Sequence, residues 1–282
     1  MKKEITVSLS DLETYRIYLQ ESGKGEETIK KYLHDVKAFI LWLSGRELTG
    51  ALCGKWKSEL QKQGLADTTI NARLAALNQF LESLDLAEFK IQSLSVQRKC
   101  FRDAKRDLSQ QEYHRLVAAA DRKGDLRLKL LLETICSTGI RVSELHYITA
   151  EALQDTSIRV SLKGKIREIL LPTKLIRKLK AYARSQGILS GEIFLSKNGK
   201  PLSRQRIWAQ MKALCLEARV NPKKVFPHNL RHLFARVFYT TTQDIVKLAD
   251  VLGHSNLQTT RIYLISTGEE HRKQMDRLGL VS

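Results

Sequence analysis

A mainly α-helical protein of two domains is what this sequence predicts. Three observations lead there: apolar residues recur at three- and four-residue spacing along most of the chain, caps and glycine stops punctuate that pattern, and only one stretch alternates instead. At 282 residues the chain is long for one compact domain and comfortable for two, each with a sizeable core.

The first helix is expected behind the box Ser10-x-x-Glu13, in "LETYRIYLQ". Gly23 and Gly25 part it from a second, "ETIKKYLHDVKAFILWLS". Two more follow at roughly Thr49 to Gln63 and Asp67 to Leu84, with Gly64 as the stop between them and Asp67 as an N-cap. These four helices make a small bundle over residues 1–92. Residues 93–106, within "KIQSLSVQRKCFRDAKRD", lose periodicity and gain charge, as an exposed linker does. The second domain, residues 107–282, opens on the box Ser109-x-x-Glu112 and stays helical except in "SIRVSLKGKIREILLP". A Gly164-Lys165 loop there makes an antiparallel β-hairpin in which Val160 faces Ile169 and Ile158 faces Leu171, with Lys163 at the tip.

Charge narrows the partner. Lys and Arg number 48 against 30 Asp and Glu, a net +18, which points to a polyanion and first of all to nucleic acid. Residues 1–100 hold 15 basic and 13 acidic groups, leaving 33 and 17 for the remainder, so the attraction resides in the second domain. No apolar run reaches membrane-spanning length and the N-terminus "MKKEITVSLSDLETY" has no signal-peptide core, so a cytoplasmic protein is expected. Cys53, Cys100, Cys136 and Cys215 are scattered, matching neither a zinc spacing nor a disulfide framework.

Several polar residues fall outside the apolar stripes. In "PHNLRHLFARVFY" the expected stripe is Leu230, Leu233, Phe234, Val237 and Phe238, with His228 and Arg231 projecting together from the other side. In "TGIRVSEL" Arg141 opens a new helix after Gly139, where a cation opposes the helix dipole and a bound anion reverses the penalty. In "DIVKLADVLGHSNLQTTRIYL" His254 follows the stop at Gly253, and Tyr263 lies off the Leu257, Thr260, Leu264 line with its hydroxyl free to leave the core. Taken singly, each has a plain structural reading: a solvated face, a salt bridge to Glu144, a helix cap, a surface tyrosine.

Taken as an ordered set, they resemble the tyrosine recombinase (phage integrase) family. Its signature is an arginine in "TGxRxxEL", a hairpin lysine, His-x-x-Arg, and an "LGH" histidine nine residues before a nucleophilic tyrosine. Here those elements stand as "TGIRVSEL", "SLKGK", "HNLRH", "LGH" and Tyr263, with His254 nine residues ahead of it. The resemblance implies an N-terminal core-binding (SAM-like) four-helix domain and an α-helical catalytic domain with a small antiparallel hairpin. The activity it implies is cleavage and rejoining of DNA through a 3′-phosphotyrosyl intermediate, without metal, ATP or other cofactor. Catalytic roles would fall to Arg141, Lys163, His228, Arg231, His254 and Tyr263. Lys165 is the alternative to Lys163, because the loop departs from the family's usual "GKGNK". Implied partners are double-stranded recombination sites, three further copies in a tetrameric synapse, and an accessory directionality factor.

The chemistry asks for the same residue types. A phosphodiester gains negative charge in its pentavalent transition state, and two guanidinium groups can pair with its non-bridging oxygens. Tyrosine, with a pKa near 10, needs a neighbour to take its proton, the task assigned to His228. His254 would hydrogen-bond the phosphate, and the hairpin lysine would protonate the leaving oxygen. The short lead before the first helix resembles Xer-type two-domain members, whether serving a chromosome, a transposon or a prophage. After Tyr263, Ile265, Met275, Leu278 and Leu280 make an amphipathic tail that docks on its own domain or on a neighbouring copy. A type IB topoisomerase and a non-catalytic DNA-binding regulator are the competing functions.

Overall fold

The structure, a computed structural model, describes residues 5–96, 104–162, 165–196, 198–264, 272 and 275–278. It divides into two compact units, Met1–Arg98 and Lys99–Ser282.

Four helices build the first unit: α1 (Asp11–Glu21), α2 (Glu26–Leu43), α3 (Gly50–Lys62) and α4 (Asp67–Ser83). Their starts differ in part from the sequence expectation. Ser10 is already helical and makes no side-chain cap; instead Asp11 Oδ2 accepts from the Ser8 backbone N–H at 2.6 Å. Asp67 is the first helical residue, not the cap, and α4 starts without one at Ala66. Thr49 does cap α3, accepting from Leu52 N–H at 3.2 Å. Tyr15, Leu19, Phe39, Leu43, Leu74 and Phe80 fill the interior. Tyr15 meets Phe80 edge-on at 5.4 Å and donates its hydroxyl to the Ala76 carbonyl at 2.8 Å, so its one polar atom is satisfied.

The chain beyond α4 stays attached to this unit further than its composition suggests. Asn78 both donates to and accepts from the Ile91 backbone (2.9 and 2.8 Å), and Asn71 does the same with Leu94 (2.9 and 2.7 Å). A side-chain amide carries the same donor and acceptor as a peptide group, so two asparagines on one helix face serve as a partner strand.

The second unit contains α5 (Gln110–Arg122), α6 (Leu126–Thr138), a hairpin of β1 (Ser157–Leu162) and β2 (Lys165–Leu170), then α7 (Thr173–Ser185), α8 (Arg204–Ala213), α9 (Cys215–Ala218), α10 (Pro227–Thr242), α11 (Ile245–Leu252) and α12 (Leu257–Arg261). The box at Ser109 and Glu112 forms as expected. Packed against α5, α7 and α10, α6 buries residues all round, including Leu130, Leu131, Leu132 and Ile135. Thr134 and Thr138 return their hydroxyls to the carbonyls of Leu130 and Thr134 at 2.7 Å each, which removes the cost of burying them.

The hairpin register differs from expectation by two residues. Leu162 pairs with Lys165, so Ile158 faces Ile169 and Val160 faces Arg167. A shift of two preserves which face is inward but changes the partners, so that Arg167 stands opposite Val160 and not Leu162. Lys163 and Gly164 lie outside the described residues, and nothing of the Lys165 side chain is described. Of the expected tail helix, Ile265 and Leu280 also lie outside, while Met275 and Leu278 are exposed. Cys53, Cys136 and Cys215 are free thiols; Cys100 is outside. Among the described residues no helix is long and apolar enough to cross a membrane.

Candidate active site

Backbone termini place the site. The central helix α6 stops at Gly139, whose φ of +62° suits glycine, and a Cβ there would lie 2.5 Å from Phe234 and 3.0 Å from Leu252. That close approach seats α6 against α10 and the end of α11. Arg141 follows in extended conformation. Rather than opening an α-helix, as expected, it precedes a six-residue 3₁₀ segment, Val142–Tyr147. The end of α11 is built alike: Gly253 at φ +65° turns the chain, and the His254 N–H returns to the Ala249 carbonyl at 2.9 Å.

Arg231 is the centre, and it is buried to 1 % exposure. Of the two residues expected to project together away from the apolar stripe, His228 is exposed but Arg231 is not, and Val237, expected in the buried stripe, is exposed at 40 %. Arg231 donates to the carbonyls of Gly139 and Leu252, the latter at 2.8 Å, and to His254 Nε2 at 3.0 Å. Two helix-terminal carbonyls that need donors therefore hold a guanidinium that needs acceptors.

This contact fixes the His254 tautomer. A guanidinium only donates, so Nε2 is the acceptor, the proton sits on Nδ1, and it is given to Thr260 Oγ1 at 2.9 Å. Burial, then the charges of Arg231, Arg141 and Arg167, push the His254 pKa down to about 4. Burial first, then Arg231 and Arg141, lowers that of His228 also. In both rings burial first, and the neighbouring arginines second, disfavour the charged form.

Tyr263 closes the cluster. Expected to turn its hydroxyl away from the core, it is 2 % exposed and packs with Ala235, Leu248 and Leu252. Its ring stacks on His254 (centroids 5.8 Å apart, 9° between planes) and meets His232 edge-on at 4.4 Å; His228 is 6.3 Å away. Its hydroxyl interacts with the Arg231 guanidinium, favouring the charged form of that arginine.

Glu144 ties in the remaining arginines. Fully buried, it takes Arg141 Nη1 at 2.8 Å and the Arg141 N–H at 2.9 Å, and it pairs with Arg167 Nη2 at 3.2 Å. The bridge from Arg141 to Glu144 thus exists, and the Arg141 side chain keeps 39 % exposure toward an open groove of about 1220 Å³. Arg141, Arg167, His254, Ser255 and Arg204 line that groove. Of the expected residues the structure gathers Arg141, His228, Arg231, His254 and Tyr263. It adds Arg167, His232 and Thr260, which the sequence reading did not single out. His232 was legible as the residue one helical turn after His228; Arg167 was not, because its place in the site depends on contacts with Glu144 and the Leu252 carbonyl, which are distant in the chain.

Comparison with known proteins turns on this catalytic unit. Residues 106–270 match the Phage integrase family, and residues 12–86 match its N-terminal SAM-like domain. The chain belongs to the phage integrase family. Tyrosine recombinase XerA of Pyrococcus furiosus is 28 % identical over 99 % of this chain and 97 % of its own length. Tyrosine recombinase XerD of Vibrio cholerae is 28 % identical over 86 % and 87 %. In fold, the chain is similar to a XerH site-specific recombinase solved on palindromic difH substrate, with a TM-score of 0.73 and 19 % identity over 96 % of this chain and 84 % of that one. As an integrase-family tyrosine recombinase, the chain is an enzyme of DNA breakage and rejoining.

Proposed function

We propose that this protein exchanges strands between two DNA sites, with Tyr263 as nucleophile. The observation that carries the reading is the convergence of Arg141, Arg231, His228, His254 and Tyr263 on one site, drawn from chain positions more than a hundred residues apart.

Arg141 and Arg231 take the non-bridging oxygens of a scissile phosphate. Tyr263 Oη then forms a bond to phosphorus as the bond from phosphorus to the 5′-oxygen breaks, leaving a 3′-phosphotyrosyl ester. The phenolic proton passes to His228, whose lowered pKa favours the uncharged ring that can accept it, and the 5′-oxygen receives a proton from Lys163, or from Lys165. Attack by a 5′-hydroxyl from the other site reverses each transfer and rejoins the strand. In the present geometry His254 Nε2 accepts from Arg231, so it hydrogen-bonds the phosphate only once Arg231 has turned from it to the phosphate and Nε2 itself carries a proton.

The bond energy is stored in the ester, so no cofactor enters the proposal. Residues 1–92 serve as the core-binding domain and 93–106 as the linker, and four copies on two duplexes make the synapse. An accessory factor would set direction. The excess of cations in the second unit makes affinity fall steeply with salt.

The test incubates wild-type and Tyr263→Phe protein with nicked duplexes from a library of candidate sites, without divalent metal, and looks for a detergent-stable protein–DNA adduct. An adduct with the wild type alone is expected. An adduct with both proteins would move the nucleophile, with Tyr239 the next candidate, and tight binding of a defined site with no adduct would support a non-catalytic regulator.

A further inference from the structure

Arg167 has a place that neither the fold nor the reaction as described requires. It sits on the inward face of β2 opposite Val160, where Ile169 in the strand and Leu171 just past its end are apolar and buried. Its side chain is 9 % exposed, yet it carries a charge. Burial, opposed by Glu144 and reinforced by Arg231 and Arg141, pushes its pKa down to about 10. A buried cation of this kind is costly unless its surroundings use it.

Its contacts say what uses it. Nη2 pairs with Glu144 Oε2, the oxygen that also accepts from the Arg141 N–H. Nη1 donates to the Leu252 carbonyl, the one that also accepts from Arg231 Nη2. Arg167 thus shares one acceptor with each arginine assigned to the phosphate. Its aliphatic part packs on Gly253, where a Cβ would lie 2.5 Å from the Arg167 Cδ. That glycine directly precedes His254. Among the described residues neither Nε nor Nη2 has a hydrogen-bond partner, so the fork is held by the ion pair with Glu144 and the hydrogen bond to the Leu252 carbonyl.

We propose that Arg167 is a positioning residue for strand cleavage: spanning Glu144 and the Leu252 carbonyl, it holds Arg141 and Arg231 at a single anion site. This rests on the assignment of those two arginines to the scissile phosphate. Two effects follow from the geometry. Glu144, shared between two guanidinium groups, leaves Arg141 partly free to engage a phosphate, whereas alone with Arg141 it would hold it. The rigid guanidinium also sets the spacing between the 3₁₀ segment and the end of α11, which a point charge on a flexible stem does not do. The charges agree: three arginines and Glu144 sum to +2, matching a phosphodiester that gains a second negative charge on attack by the tyrosine oxygen.

The test uses the full chain and the duplex that the wild type cleaves, with a natural phosphodiester or a methylphosphonate at the scissile position. The methylphosphonate lacks one charged non-bridging oxygen and asks less of the arginines. For Arg167→Met, the rate of adduct formation at saturating DNA should fall on the order of 10²-fold on the phosphodiester. On the methylphosphonate the loss should be roughly tenfold or less, because the missing charge pairing is no longer demanded. Arg167→Lys keeps the stem and charge, and it covers the case in which the Met variant does not fold; it should show the same substrate-dependent loss because it cannot span both acceptors. Equal losses on the two substrates, or a Lys variant as active as the wild type, would overturn the proposal. If no duplex is cleaved by the wild type, the recombinase reading itself fails.

Discussion

Leucine-rich helices fill both units, but they treat buried charge differently. In Met1–Arg98 the buried charged residue among those described is Asp35, 7 % exposed and 3.8 Å from Arg73, at the margin of an apolar bundle. In Lys99–Ser282, Glu144 and Arg231 are at 0 and 1 %, with Arg167 beside them. Polar groups of the first unit act as fasteners: Tyr15 on Ala76, Asn78 on Ile91, Asn71 on Leu94. Those of the second form one network around a site, where cations are packed closely enough to depress each other's proton affinity. The difference teaches that the first interior is arranged for stability, whereas the second gives some up to hold an electrostatic arrangement ready.

The most severe break in this contrast should come from Arg231→Met. Without the guanidinium, the carbonyls of Gly139 and Leu252 lose a donor and Glu144 loses a counter-charge. Cleavage should fall on the order of 10²–10³-fold, with a stability loss of about 2–4 kcal/mol in the second unit. Hydrogen exchange followed by mass spectrometry should show protection lost in α6, α10 and α11 and kept in α1 to α4.

A pair of glycines sharpens the comparison. Gly139 and Gly64 both have positive φ, +62° and +70°, but a Cβ at Gly64 meets nothing within 4 Å. Denaturant titration should give about 1 kcal/mol for Gly64→Ala, from backbone strain alone. Gly139→Ala should cost about 2–4 kcal/mol, since Phe234 and Leu252 must also move.

Acid should find the second unit first. His254 is held neutral in the folded chain down to about pH 4, whereas in the unfolded chain it titrates near the ordinary histidine value of about 6.5. Between those values the unfolded state binds more protons, so this contribution to stability is full above about 6.5 and falls as pH drops toward 4. Thermal melts across that window should slope less steeply for His254→Gln than for the wild type. The smallest effect should be that of Tyr15→Phe, about 1 kcal/mol in a denaturant titration of the first unit, for one buried hydrogen bond.

Helices were legible wherever the apolar spacing was regular, as in α2 and α6, and the stops at Gly139 and Gly253 could be placed because only glycine turns the chain there without strain. Caps were less legible. Asp67 stands one position inside its helix, and Ser10 stands at the N-cap position with helical backbone angles and no cap hydrogen bond, because the local text does not fix which residue leaves the helix first. The hairpin register was misread by two residues, because either register keeps the same alternation and the same inward face.

By itself the sequence determined the helical class, the two-part organisation, the location of positive charge and the ordered set of arginine, histidine and tyrosine, because each is a property of spacing and composition along one chain. Tertiary structure alone decided that Arg231 and Tyr263 are buried, that His254 accepts from Arg231 and gives its proton to Thr260, and that Arg167 joins the site. The reason is that burial and hydrogen-bond partnership depend on which distant segments meet. At Arg231 the termini of two helices, contributed by Gly139 and Leu252, supply the carbonyl oxygens that make a buried guanidinium affordable, and no spacing within its own helix reveals them.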